Sequence, residues 1–317
     1  MSTTSKKPQL PRFPLHTGEN PLFGRTMFFL GHIGMIFGFI ELYKLGFSFK
    51  LLLIILVGTF YDHLGGLGIT AGAHRLWSHK SYDGNDLYRF IVMLFNCIAF
   101  QGELLFWCKD HRVHHKYSDT RKDPHNASRG FWYSHMGWLL MERDPECTKA
   151  LAQVPIHDLL NDWVILFQLK YYGILVLILR VLIPTYLGYL ITGSFKCGFF
   201  VNCCGFWCQS LHHTFLVNSA AHVREWGYRP YDDKIPPNEN QFVIYAAVGE
   251  GHHNFHHAFP RDYATSELDW NKTYNPTKWF IDQAANLNMI SWRNRNIYDK
   301  NKKRFVNKKF HGNEKIP

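Results

Sequence analysis

"LLLIILVGTFYDHLGGLGITAGAHRLWSH", residues 51–79, changes character once. From Leu51 to Ala73 it is apolar except for Asp62 and His63, and it is long enough to cross a bilayer, which takes roughly 17–25 residues. It then runs straight into "HRLWSH", with imidazoles at His74 and His79. The rest of the chain is read for other apolar runs, and for the side of the membrane on which other histidines fall.

Three more apolar stretches obey the same logic: Thr26–Ile40, Tyr171–Phe195 (interrupted by Arg180 and Pro184) and Cys197–Ala221 (interrupted by His212 and His213). The first needs its flanks to reach spanning length. Four such stretches are hard to bury in a chain of 317 residues without lipid, so four transmembrane helices are expected. The links 41–50 and 192–196 are short and make two helical hairpins. Both termini and the long polar segments 74–170 and 222–317 then share one side. The basic start and the tail "KNKKRFVNKKFHGNEK" assign that side to the cytosol by the positive-inside rule.

The expected fold is an all-α membrane protein, with four transmembrane helices under a cytosolic helical cap. It forms one domain over 1–317, with 1–21 as a cytosolic segment and 300–317 as a basic tail, its last fifteen or so residues mobile. Residues 86–111 are apolar but broken by Arg89 and Glu103. They read as one or two helices on or near the membrane surface, or as a buried cap helix.

Composition narrows the function. The slightly negative mean hydropathy argues against a protein made wholly of membrane helices and leaves room for a polar cap. Aromatic residues at 16% suit a chain working at a membrane boundary. The seven cysteines form no Cys-x-x-Cys pair, and Cys203, Cys204 and Cys208 sit in an apolar run; they read as reduced, buried residues. "MSTTSKKPQLPRFP" has no apolar core of a signal peptide. Lys and Arg exceed Asp and Glu by 35 to 25, which favours an anionic lipid surface or phosphorylated substrate. No basic helix or stacking platform points to nucleic acid.

Histidine carries the chemistry. "HRVHHKYSD" (111–119) holds His111, His114 and His115, and helical offsets of three and four residues turn about −60° and +40°, onto one face. "HNFHH" (253–257) repeats the pattern as His253, His256 and His257. With His74 and His79 these make eight imidazoles on the cytosolic side, more than one ion can take, so two ions are expected. No thiolate accompanies them, which argues against structural zinc, and Glu250–His253 is a single Glu-x-x-His pair where a carboxylate-bridged di-iron site uses two. Iron or copper held by imidazole remains.

"GAHRLWSHKSY", "DHRVHHKYSDTRKDPHN" and "GEGHHNFHHAFPRDY" resemble the three histidine boxes of membrane acyl-CoA desaturases of the stearoyl-CoA (Δ9) type, and "FLVNSAAH" and "GYRPYDDK" resemble a further motif of that family. The resemblance covers about residues 22–285. It implies a dinuclear iron centre held by His74, His79, His111, His114, His115, His222, His253, His256 and His257, with Asn218 holding a water; Asn218 and His222, four apart, are expected on one helix face. It also implies O₂-dependent insertion of a cis double bond, at Δ9, into a saturated long-chain acyl-CoA. Such a step needs a redox metal and two electrons from outside. No haem-binding stretch occurs here, so no cytochrome b5 domain is fused, and a separate cytochrome b5 with its reductase is the implied donor. The implied setting is the endoplasmic reticulum membrane, with lipid around the spans.

By the same resemblance Gln101, Trp107 and Thr214 line the bend of the acyl tunnel, while Lys109, Asp110 and Arg143 meet the CoA head group. Asp62 and Gly66, twelve and eight residues before His74, set its floor where the family usually has a bulky aromatic and a small residue. Asp62 is read either as a polar plug bonded to His63 or Tyr61, or as an opening for chains of eighteen carbons or longer. Departures from the family pattern at Thr26, Gly102, Glu142 and "HVREWGYRP" fall on the head-group side. His125 and His135 read as structural, His252 as no ligand, and Arg180 as paired or snorkelling. A di-iron lipid hydroxylase, an acyl-lipid desaturase and, more remotely, a membrane metal-handling protein remain as alternatives.

Overall fold

The computed structural model describes residues 21–316; the expected N-terminal cytosolic segment lies almost wholly outside them. Two helical hairpins carry the membrane part. Helix α1 (Pro21–Leu45) turns into α2 (Phe49–Ser78) through Gly46, whose φ of 56° suits glycine, and Ser48 caps α2 by accepting from the Leu51 N–H. Later in the chain α6 (Trp163–Thr192) turns into α7 (195–218) through Gly193 at φ 78°. At about 1.5 Å per residue the 30 residues of α2 reach about 45 Å, against a hydrocarbon core of roughly 30 Å. By length α2 exceeds the hydrocarbon core of a bilayer.

Among the described residues, three helices are long and apolar enough to cross a membrane: Leu22–Leu45 of α1, α2 and α6. The fourth expected span falls on α7, which is long but too polar to join them. Its polarity faces inward, since Ser210, His213 and Thr214 line an internal cavity. Against α1 it packs at close range: a Cβ on Gly38 would sit 2.6 Å from the Phe200 carbonyl oxygen, the small-residue contact that lets membrane helices approach.

Between the hairpins, α3 (Asp86–Ala99) and α4 (Leu104–Tyr117) answer the segment read as one or two helices. They are two, bent 84° apart at Phe100, which takes the left-handed conformation (φ 49°). Asn85 caps α3 by accepting from the Tyr88 N–H. The cap adds α5 (Pro145–Gln153), α8 (Gln241–Ala246), α9 (His253–Ala258) and α10 (Pro276–Asn286). Its core joins Ala71 and Trp77 of α2 to Val92 and Met93 of α3, Leu105 of α4 and Ile281 of α10.

The all-α expectation needs one correction. Strands β1 (Tyr82–Gly84), β2 (Ile290–Asp299) and β3 (Arg304–His311) form an antiparallel sheet in the order β1-β2-β3, so residues 304–311 of the basic tail are a hairpin strand and not part of a mobile end. Its register pairs Tyr82 with Arg293 and Trp292 with His311. The strand period is hidden in "ISWRNRNIYD" because cations carry it. Arg293 bonds Asp282 at 2.6 Å and Arg295 bonds Asp262 at 3.1 Å, so buried ion pairs stand where alternating apolar residues would signal a strand.

Candidate metal centre

The C-terminal end of α2 is wound unusually wide. The His79 N–H bonds the His74 carbonyl five residues back, at 3.1 Å. In a regular α-helix five residues turn about 500°, leaving side chains about 140° apart; a register of i to i+5 bonds brings them nearly into line. The wide turn thus places the His74 and His79 rings 4.9 Å apart, centre to centre, on one side.

All nine expected histidines meet at this end of the molecule, in two groups. His74, His79, His111, His115 and His256 form one; His114, His222, His253 and His257 form the other. Helix α4 gives His111 and His115, four apart, to the first group and His114 to the second. Helix α9 does the reverse, giving His256 to the first and His253 and His257, four apart, to the second. The groups touch where the His115 and His257 rings stack at 4.0 Å.

The ring nitrogens fit metal ions. Four Nε2···Nε2 separations bear on this: His74 to His256 and His79 to His111, both 2.8 Å, His115 to His256 2.9 Å, and His222 to His253 3.1 Å. Two nitrogens each about 2.1 Å from a shared ion lie about 3.0 Å apart at right angles and about 3.4 Å apart at the tetrahedral angle. The observed spacings let neighbouring rings share an ion.

Carboxylates behind the rings set the tautomers. His74 Nδ1 donates to Glu250 at 3.0 Å, His114 Nδ1 to Asp123 at 2.9 Å and His222 Nδ1 to Asp119 at 2.9 Å. A neutral ring that donates through Nδ1 has no hydrogen on Nε2, so these three present bare lone pairs to the centre. His257 Nε2 is buried without a hydrogen-bond partner, as a ligand atom awaiting an ion would be.

Protonation obeys the same geometry. Burial first, and the neighbouring imidazoles next, hold His79, His111, His115, His253, His256 and His257 well below the usual histidine range, keeping them neutral. His114 goes up: burial opposes its charge, but Asp123 outweighs burial. Burial would likewise raise Asp123 and Asp119, yet His114 and His222 hold them low. Glu250, fully enclosed, is held at about 2 because Arg75 and His74 overcome its burial. Arg75 donates to it at 2.6 Å and to the Tyr263 carbonyl at 2.9 Å.

One expectation about the second group is corrected. α7 ends at Asn218, Ser219 breaks it at φ −114°, ψ −73°, and His222 sits on a separate turn, Ala220–His222, so the two do not share a helix face. The other histidines fall outside the two groups. Both nitrogens of His252 are engaged, with Glu239 at 2.8 Å and Thr273 at 2.9 Å. His125 packs over Trp138 beside Asp123, and His135 bonds Ser219 at 2.9 Å and His212 at 2.9 Å.

Two cavities, of about 880 and 930 Å³ with their mouths included, meet at the centre and share Trp107, His111, Thr214 and Asn218. Gln101 donates to Thr214 at 2.9 Å across the junction, and Trp107 stacks on His111. The first cavity runs past Gln101 and Asp110 toward Met27 of α1. At its edge Asp110 and Arg143 hold each other in a two-point ion pair at 2.6 and 3.0 Å, while Lys109 and Arg143 are not on its wall. The second runs from His74 and His253 to Asp62 and Gly66. Asp62 does not bond His63 or Tyr61, which instead donate to the Thr59 and Leu179 carbonyls. Its nearest cation is Arg180, 4.0 Å away.

Sequence comparison agrees with this geometry. A family model described as fatty acid desaturase matches residues 45–272. The Delta(9)-fatty-acid desaturase fat-6 of Caenorhabditis elegans is 45% identical over 262 residues, 79% of this chain and 73% of that protein. Acyl-CoA desaturase of Cyprinus carpio is 46% identical over 224 residues, 70% and 68% of the two chains. Stearoyl-CoA desaturase of Homo sapiens is 44% identical over 233 residues, 73% and 64% of the two chains.

Proposed function

Since this chain belongs to the fatty acid desaturase family, we propose that it is an O₂-dependent acyl-CoA desaturase of the Δ9 type. The single observation that carries the reading is the junction: two cavities meet beside two adjoining groups of imidazoles.

In this reading the nine histidines hold two iron ions, with Asn218 positioning a water. The irons, when bound, supply the redox chemistry by which O₂ can take hydrogen from unactivated CH₂ groups. The protein does the rest. Asp119, Asp123 and Glu250 keep His222, His114 and His74 in the tautomer that leaves Nε2 bare. The Gln101–Thr214 bond and the Trp107 ring fix the bend of the tunnel, so that only one C–C bond of the acyl chain lies beside the imidazoles. The apolar walls, among them Phe28, Trp207 and Phe215, exclude water. Lys109 and the Asp110–Arg143 pair flank the mouth where the CoA head group would sit.

Atoms and electrons require a partner. Removing two hydrogens from the chain supplies two of the four electrons that take O₂ to two waters, so two more, with two protons, come from outside. A cytochrome b5 with its reductase fits that need. Long-chain acyl-CoA, O₂ and iron, but no donor, should therefore give no sustained turnover, and adding the donor should restore it. Steady product without a donor would contradict the scheme. The setting we assign is the endoplasmic reticulum membrane, with termini and metal centre cytosolic, on the strength of the basic residues at that face.

The test of the reading is product analysis after expression in a desaturase-deficient host. A monounsaturated acyl chain with its double bond at Δ9 is expected; a hydroxylated product would favour the hydroxylase alternative. Gly66 offers a handle on chain length. A Cβ there meets Val248 at 3.4 Å, an ordinary contact, and the further atoms of a larger side chain would enter the cavity. Gly66→Ile should shift the product profile toward shorter chains while bound iron stays constant. An unchanged profile would put the tunnel floor elsewhere.

A further inference from the structure

The arm of the tunnel that leads away from the head-group side ends on polar groups. Val217 and Val248 line its middle, as suits methylene groups, but Asp62, His63, Ser210 and His213 gather at the far end. Asp62 is only 5% exposed, and its Oδ1 has no hydrogen-bond partner. Arg180 lies beside it without bonding it. That guanidinium, 4.0 Å away, donates instead to the Cys203 carbonyl at 2.9 Å and the Ile98 carbonyl at 3.4 Å. His63 donates through Nδ1 to the Thr59 carbonyl at 2.8 Å, which leaves its Nε2 an acceptor.

A buried acceptor without a donor is costly, and a methyl group placed against it cannot relieve the cost. An O–H can. Asp62 Oδ1 and His63 Nε2, beside the Ser210 hydroxyl that bonds Asp62, suit a group that can both donate and accept, as an O–H does; a ketone or carboxylate only accepts. We propose that the distal pocket of Asp62, His63, Ser210 and His213 recognises a hydroxyl group at or near the ω end of the acyl chain, so that this enzyme's substrate class includes ω-hydroxyacyl-CoA. The inference rests on the desaturase reading for the identity of the chain being held, and on the cavity alone for the group at its end.

The experiment compares the iron-loaded protein with its electron donor on two matched sets, unsubstituted and ω-hydroxy acyl-CoAs of about twelve to twenty carbons. At one chain length the hydroxylated substrate should be favoured by about two- to tenfold in kcat/KM, the worth of one hydrogen bond. Asp62→Leu should remove the preference or reverse it, and His63→Ala should weaken it. The wild-type comparison needs no variant, so a misfolded Asp62→Leu leaves the test intact. Equal or better use of unsubstituted chains at every length would overturn the proposal, and the end of the cavity would then be a water-filled plug.

Binding separates this proposal from the parent reading. If neither set is turned over, the desaturase reading fails, and displacement of a fluorescent acyl-CoA by each set still decides the pocket. Tighter displacement by hydroxylated chains supports it, and equal displacement overturns it.

Discussion

Alanine at His256 or His222 should leave the protein folded and without activity, with bound iron falling toward half or below. Loss of a carboxylate behind a ligand already costs such sites about 10–100-fold in affinity or activity, so loss of the ligand itself should exceed a hundredfold. His256 is the stronger test. Its Nε2 lies 2.8 Å from His74 and 2.9 Å from His115, so its removal opens two edges of the first group at once. His252→Ala is the control: it is adjacent to the second group, but its nitrogens serve Glu239 and Thr273. Metal analysis and product formation should separate the two variants. Active protein with full iron in His256→Ala would remove that residue from the centre.

Arg75→Met is expected to be the most destabilising single change near the site. Arg75 is fully buried, and it is the cation that meets Glu250, itself enclosed and bonded to His74. Removing one partner of a buried pair leaves the other's charge uncompensated, at a cost of about 3–5 kcal/mol. The melting temperature in detergent should fall by many degrees, and iron should be lost with it, because Glu250 no longer fixes the His74 tautomer. Arg75→Lys keeps the charge but lacks the fork that reaches both Glu250 and the Tyr263 carbonyl, so it should fall between. An unchanged melting temperature in Arg75→Met would show that Glu250 is protonated or solvated.

The legible part of the sequence rested on residue type and spacing. Eight histidines in three clusters, each beside or beyond an apolar run, were enough to expect a two-ion centre at one membrane face. His222 and Asn218 were not visible in that way: one histidine at the end of "FLVNSAAH" looks like any other, and only the family resemblance singled it out. The wide turn that brings His74 and His79 together left no spacing signal, since five residues apart is a poor helical interval. Residues 197–221 read as a span from their apolar run; that Ser210 and His213 face a cavity within the protein leaves no mark in such a run. The β-hairpin was hidden for a related reason. Arg293 and Arg295 point inward to Asp282 and Asp262, which lie far away in sequence.

The division of the nine imidazoles carries a constraint on how such a centre can change over generations. Each of the two short helices serves both groups in opposite proportion, two and one against one and two. Loss of either helix thus damages both groups, and a single inserted residue, rotating the downstream side chains by about 100°, would misaddress ligands of both. The two halves cannot be inherited, lost or refined one at a time. Variation should accumulate along the cavity walls and the distal pocket, while the six positions on α4 and α9 drift together or not at all.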